Sequence, residues 1–288
     1  MAIVIDERYL LGFLRGRELT SSKRDYGHAL LVCGCSRMPG AAILAADAAL
    51  HSGCGLVSLH TCEIAAVAAM SACPSAMLSI DGDECFSTLP QRMERYSCIG
   101  VGPGLGTECK TQSALRELLL RAESLRTPMV LDADALNIIS RNPELLLHIP
   151  PGSVMTPHEG ELHRLVTTWE SQEEKISAAS KLSADTLCTV VSKGYHTLVH
   201  LPDGTILENT TGNPGMAKGG SGDVLTGLIT GLMARGYPSF EAAALGVWLH
   251  GYAGDLLSER LSQEGYSSRD LIPALGEAFR HLYSLLPQ

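Results

Sequence analysis

The sequence predicts an α/β fold in which a mostly parallel sheet is covered by helices on both faces. Three observations carry this reading. Short apolar runs that end in Gly or acidic residues alternate along the chain with stretches of helical period. Ala, Gly and Leu are plentiful while aromatics make up 5%, a balance suited to close helix–sheet packing. No internal repeat and no Pro- or Ser-rich linker divides the 288 residues, a length sufficient for one large core or two ordinary domains. One domain over 1–288 is expected, with 1–26 as a polar leader holding one amphipathic turn or helix.

HALLVCG (His28–Gly34) is a continuous apolar run ended by Gly, the pattern of a buried strand. Gly40–Gly55 has helical Ala/Leu spacing, with Gly53 as a stop, and LVSLHT is the next strand. CIGVGPGLG (Cys98–Gly106) is a strand running into a glycine turn, and TQSALRELLLRAESLR an amphipathic helix. PMVLDADALNII begins as a buried strand and ends in acids; GSVMTPHEGELHRLV is strand, loop and helix start. Two β-rich runs flank Lys193–Gly194, and two long helices close the chain. In such sheets ligands sit beyond the carboxyl ends of the strands, where most of these acids and glycines fall.

The formal net charge of −9 argues against a nucleic-acid binder, which needs a basic surface. It leaves room for a small phosphorylated ligand held by backbone N–H groups. Nine cysteines without a CxxC pair argue against a zinc site or disulfide framework and fit a reducing cytoplasm. The N-terminus has early acids and no long apolar run, so neither a signal peptide nor a membrane span is expected there.

Five glycines fall between Gly212 and Gly222, followed by Asp223 and the apolar run VLTGLITGLMARG. A helix start offers unpaired N–H groups and a partial positive charge, and glycines let a ligand approach the backbone. GGSGD (Gly219–Asp223) thus reads as an anion cradle. Gly227 and Gly231 lie four apart, for close packing, and Gly236 is the stop. Asp223 is either a helix N-cap or a base that takes a proton from a substrate hydroxyl beside a phosphoryl group. GxxxxGK[ST] does not occur, which argues against a P-loop enzyme.

GGSGD before an apolar helix resembles the anion-hole motif of the ribokinase-like superfamily. Five further motifs occur in order with it: GVGPGLG (Gly100–Gly106), LDADALN (Leu131–Asn137), MTPHEGE (Met155–Glu161), SKG (Ser192–Gly194) and WLHGYAGD (Trp248–Asp255), the glycine stretch itself being GNPGMAKGGSGDVLTG (Gly212–Gly227). Together they resemble the ADP-dependent (S)-NAD(P)H-hydrate dehydratase family, from Tyr26 to Asp255. SKRDYGH departs from the family pattern: it keeps Lys23 but has Arg24 where Gly is usual. Members are often fused to an epimerase domain; this length leaves no room for one, so dehydratase activity alone is expected.

The resemblance implies a ribokinase-like three-layer α/β/α fold with no separate lid domain. It implies a hydro-lyase that repairs NADH or NADPH hydrated at ring carbon 6, phosphorylating the hydroxyl with ADP (or ATP) and Mg²⁺ and then losing phosphate. Asp223 would be the base and Gly219, Gly220, Ser221 and Gly222 the anion hole, Gly222 also touching nucleotide. Lys193, Gly194, Tyr195, His196 and Thr197 would wrap the nucleotide; Ala41, Gly104, His158 and Asp223 would contact the hydrated cofactor; Glu161 would organise Mg²⁺, directly or through water. A cytoplasmic homotetramer without nucleic-acid or membrane partners is implied. Read from the residues alone, Lys193 is also a solvated strand-end lysine, Ala41 helix packing, Gly104 an ordinary turn and Glu161 a first-turn capping glutamate. Asp132, Asp134 and Asn137 form a supporting cluster, and His250 is a packed histidine. A vitamin-alcohol kinase on the same fold is the alternative function; a non-catalytic nucleotide sensor is a third.

Overall fold

A computed structural model describes residues 2–166 and 168–286. Its strands are β1 (Ile3–Val4), β2 (His28–Val32), β3 (Leu56–Cys62), β4 (Met77–Asp81), β5 (Cys98–Val101), β6 (Met129–Leu131), β7 (Val154–Met155), β8 (Thr189–Ser192), β9 (Leu198–His200) and β10 (Ile206–Glu208). They form one sheet in the order β1-β10-β9-β8-β7-β6-β5-β2-β3-β4. From β8 to β4 every neighbouring pair is parallel; β9 runs antiparallel to β8 and β10. The sheet is thus mostly parallel, as the alternating pattern requires, and among the described residues no separate lid stands over it.

The helices are α1 (Glu7–Leu11), α2 (Pro39–Leu50), α3 (Glu63–Ala72), α4 (Cys109–Leu125), α5 (Ala133–Arg141), α6 (Glu159–Leu165), α7 (Gln172–Thr186), α8 (Ser221–Ala234), α9 (Ser239–Leu261) and α10 (Ser268–Ser284). Two apolar cores lie on opposite faces of the sheet. Ala29 and Leu31 of β2 join the core under α2, α8, α9 and α10, while Leu30 and Val32 join the one under α4 and α5. Successive strand side chains point to opposite faces, so a strand covered on both must be apolar throughout. That is why HALLV reads as an unbroken run.

α8 is the central helix of its layer, and its glycines permit this. A Cβ on Gly227 would stand 2.0 Å from the carbonyl oxygen of Ala45, and one on Gly231 2.0 Å from Oγ of Ser52. The backbones of α2 and α8 therefore touch along the line that the four-residue spacing anticipates. Gly236 (φ +99°) lies just past the end of α8, where a left-handed residue ends a helix.

Residues 1–26 are more than a leader. Besides the expected short helix, Ile3 and Val4 add a parallel strand beside Leu207 and Glu208. Ile5 and Leu10 are buried, and Arg235 donates to the carbonyl oxygen of Arg15 at 2.6 Å. The partner strand lies some two hundred residues away in sequence, so no local periodicity announces it. The stretches that form α3, β4 and α7 likewise give no clear periodic signal.

Candidate active site

The parallel strands end along one edge of the sheet, and their loops converge there. After β2, Gly34 donates to the carbonyl oxygen of Pro103 in the turn after β5 (2.8 Å). In that turn Gly104 has φ +64°, and a Cβ on it would lie 2.8 Å from Cβ of Ala41. Ala41 and Gly104, both expected at a cofactor contact, are thus direct neighbours. Asp134 holds the turn by accepting from Gly106 N–H at 2.8 Å.

Asp132 follows β6 and is buried. Its Oδ1 accepts from Nζ of Lys193 at 2.6 Å, and its Oδ2 from Oγ1 of Thr226 on α8 at 2.8 Å. Lys193 follows β8 and also lies 3.9 Å from Oε2 of Glu161. This lysine is no solvated strand end; it stands between two carboxylates. A Cβ on Gly222 would sit 3.4 Å from that ammonium and 3.5 Å from Oδ2 of Asp132. The ends of β6 and β8 therefore meet the start of α8.

At that start, Gly220 is the N-cap in the left-handed region (φ +91°) and supplies no side-chain cap. Asp223 is the third helical residue, so its N-cap reading fails. Among the described residues the N–H groups of Gly219, Gly220, Gly222 and Asp223 find no acceptor. Burial, and then the negative charge of Asp132, push the Asp223 carboxyl up to about 6, against the pull of Lys193. A carboxylate with that affinity for a proton, beside unpaired amides and one ammonium, can act as a base next to a bound anion. Ser221 contacts Nε2 of His250 at 3.3 Å; burial lowers this histidine to about 4, so it is neutral at physiological pH.

The glycine stretch is held from outside. Lys218 donates to the carbonyl oxygens of Gln263 (2.8 Å) and Tyr266, and Oγ of Ser268 to that of Gly219 (2.8 Å). Asp255 accepts from Gly212 N–H at 2.8 Å and from the Asn213 amide at 2.9 Å. These buttresses, with Thr226, are the residues that sequence reasoning left without a role. Asp255, Lys218 and Thr226 lie within quoted motifs; Ser268 carries no local signal.

His158 caps α6. Its Nδ1 accepts from the N–H groups of Gly160 (3.0 Å) and Glu161 (3.3 Å), and Oε2 of Glu161 accepts from His158 N–H at 2.8 Å. Glu161 is therefore the capping glutamate that its position suggests, while still facing Lys193. Among the described residues no three His, Cys, Asp or Glu side chains gather as a ready-made metal cage. In the turn after β8, Lys193 reaches Asp132, while Gly194, Tyr195 and His196 are exposed. Thr197 Oγ1 donates to the carbonyl oxygen of Gly194 at 3.1 Å. Tyr195 is exposed and stacks on His196 with ring centroids 4.3 Å apart. Asn137 accepts from Arg164 at 2.8 Å and ties α5 to α6; of that supporting cluster, Asp132 bonds Thr226 on α8 and the charge of Asp134 also raises Asp223.

This fold, with an amide-lined helix start at the carboxyl ends of its strands, defines the ribokinase-like class. The family model described as NAD(P)H-hydrate dehydratase matches residues 29–276, and the chain belongs to that family. It is 39% identical to the ADP-dependent (S)-NAD(P)H-hydrate dehydratase of Neisseria meningitidis over 253 residues, covering 85% of this chain and 82% of that one. It is 37% identical to the bifunctional NAD(P)H-hydrate repair enzyme of Moorella thermoacetica over 280 residues, 92% of this chain but 52% of that protein. The chain thus spans about half the length of the bifunctional relatives. Among solved structures, the ADP/ATP-dependent NAD(P)H-hydrate dehydratase of Bacillus subtilis, crystallised with ATP and Mg²⁺, aligns with a TM-score of 0.84 at 29% identity, covering 98% of this chain and 99% of that one.

Proposed function

We propose that this chain dehydrates (6S)-hydrated NADH and NADPH back to the reduced cofactors, consuming an adenine nucleotide, with ADP giving AMP and phosphate. The observation that carries the reading is Asp223: a carboxyl held at about 6, in the first turn of a helix at whose start the N–H groups of Gly219, Gly220, Gly222 and Asp223 are unpaired. The carboxylate takes the proton of the C6 hydroxyl as its oxygen bonds to the terminal phosphorus of the nucleotide, and the bond from that phosphorus to AMP breaks. The N–H groups of Gly219 to Gly222 hold the negative charge on the phosphoryl oxygens in transit. Losing one such donor costs roughly 3 kcal/mol of barrier. Phosphate then leaves C6, driven by the ring nitrogen's electron pair, with loss of a proton from the neighbouring carbon. A poor leaving group has become a good one.

Lys193 sits where a nucleotide's phosphates would reach it, and the exposed Tyr195–His196 stack offers a flat surface at the rim for a base. Ala41, Gly104 and His158 would contact the hydrated cofactor in this reading, the close approach of Ala41 to Gly104 keeping bulky side chains from that turn. The donor set fits Mg²⁺ that arrives on the phosphates and keeps its waters: Asp132 and Glu161 already hold the cationic Lys193 between them. Those carboxylates would hold the ion, which supplies charge neutralisation to the phosphates. The same reading takes the protein as a cytoplasmic homotetramer; no helix among the described residues is long and apolar enough to cross a membrane.

The test offers the purified chain hydrated NADH with ADP or ATP and Mg²⁺, beside Asp223→Asn. Recovery of reduced-nicotinamide absorbance with stoichiometric phosphate release is the expected result. A stable phosphoester of a vitamin alcohol, with the hydrate untouched, would overturn it in favour of a kinase.

A further inference from the structure

α8 begins at the anion cradle and ends at Ala234, 14 residues on, so its two ends stand about 20 Å apart. At the far end lies a cavity of about 370 Å³. Arg17, His51, Arg235, Phe279 and Tyr283 help to line it, and no Asp or Glu does among the described residues. The chain carries −9 overall, so a cationic cavity runs against its general charge.

Arg235 follows α8 and is only 9% exposed. Buried charges ordinarily have a counter-charge. Yet among the described residues no carboxylate oxygen lies within 4.0 Å of a nitrogen of Arg235 or Arg17. Carbonyl oxygens hold both side chains in place. Nη2 of Arg235 donates to those of Arg15 (2.6 Å) and Gly16 (3.2 Å), and Nη2 of Arg17 to that of Gly53 (2.6 Å). Their Nε and Nη1 groups find no acceptor among the described residues. The guanidiniums of Arg17 and Arg235 lie 4.0 and 5.6 Å from the centroid of one ring, Tyr26, so two like charges stand close together. A Cβ on Gly53 would lie 3.1 Å from Nη1 of Arg235; the glycine leaves that nitrogen uncovered. The carboxyl ends of α2 and α8 offset part of the charge, at roughly half a unit each. Against two guanidiniums, about one positive unit remains. His51 is already paired with Asp47, 3.4 Å away.

We infer that this cavity binds a small phosphate monoester bearing a flat ring, with the phosphate on the free N–H groups of Arg17 and Arg235 and the ring against Phe279 and Tyr283. A phosphate monoester carries about −1.5 to −2 at neutral pH and accepts paired hydrogen bonds from a guanidinium. The cavity has room for roughly a dozen waters at about 30 Å³ each, more than a bare oxyanion fills. Phe279 and Tyr283 already stack, with ring centroids 6.2 Å apart, and offer the apolar wall that a ring needs. The site stands at the opposite end of α8 from Asp223, and its occupancy does not depend on the reaction proposed above.

The test titrates the full chain with phenyl phosphate by calorimetry at low ionic strength, beside inorganic phosphate and phenol. Phenyl phosphate should bind saturably, inorganic phosphate more weakly and phenol not measurably. Arg17 is exposed, so Arg17→Gln should fold, and it should bind the ester about tenfold or more weakly, as expected for a lost charge-assisted hydrogen bond. Gly219→Ala, at the other end of α8, should bind as wild type. Amide resonances supply a reading free of mutation: those of Gly16 and Gly53 should shift as the ester is added. Wild type that fails to bind, Arg17→Gln that folds and binds undiminished, or unmoved Gly16 and Gly53 resonances would each overturn the inference. So would phenol or inorganic phosphate binding as tightly as the ester, or binding lost in Gly219→Ala and kept in Arg17→Gln.

Discussion

Nζ of Lys193, at the end of β8, lies 2.6 Å from Oδ1 of Asp132, at the end of β6. The pair brings a cation to the start of α8 and keeps a second negative charge near Asp223. Asp132 thus acts on Asp223 through space, as a positioning residue. Asp132→Asn should lower the affinity of Asp223 for its proton, because that charge is one of the causes that raise it. The acid limb of kcat/KM should move to lower pH, measured from rate profiles of variant and wild type. An unmoved limb would remove the charge of Asp132 from the control of Asp223.

Asp223→Asn should reduce turnover by about a hundredfold or more, the range for a lost general base. Nucleotide affinity, read by calorimetry, should fall far less, because the amides and Lys193 remain. Near-normal turnover would remove Asp223 from the chemistry.

Turnover of wild type should rise with pH through about 6, as Asp223 loses its proton. Stability should run the other way. The folded-state value lies above the ordinary 3.8, so the folded chain holds this proton more tightly than the unfolded one. That stabilisation is fully present below 3.8 and is lost as pH rises through about 6. Asp223→Asn should therefore gain about 1–2 kcal/mol at neutral pH, less than the full shift at about 1.4 kcal/mol per unit. Denaturant melts at acid and neutral pH would check this; a variant destabilised at neutral pH would count against a strained carboxylate.

Two glycine-to-alanine changes should separate function from packing. At Gly219 nothing lies within 4 Å of an added Cβ, so Gly219→Ala should fold normally while crowding the anion's approach and cutting turnover about tenfold or more. At Gly227 the added atom meets the backbone of Ala45 at 2.0 Å, so Gly227→Ala should lose about 1–3 kcal/mol of stability. Paired melting and rate measurements would distinguish the two.

The sequence alone determined the parallel α/β plan, the glycine-rich helix start and the place of Asp223, because each rests on local periodicity or on a residue type that suits one backbone role. GNPGMAKGGSGD could be read as a cradle since glycine spacing acts within a few residues. Only the tertiary structure decided the rest. It paired Ile3 with Leu207, set Lys193 between Asp132 and Glu161, and made Glu161 a cap as well as a neighbour of that lysine. It gave Asp223 its raised affinity for a proton through burial and the charge of Asp132. Those properties arise from groups far apart in the chain, which contact and desolvate one another only after the strands have lined up.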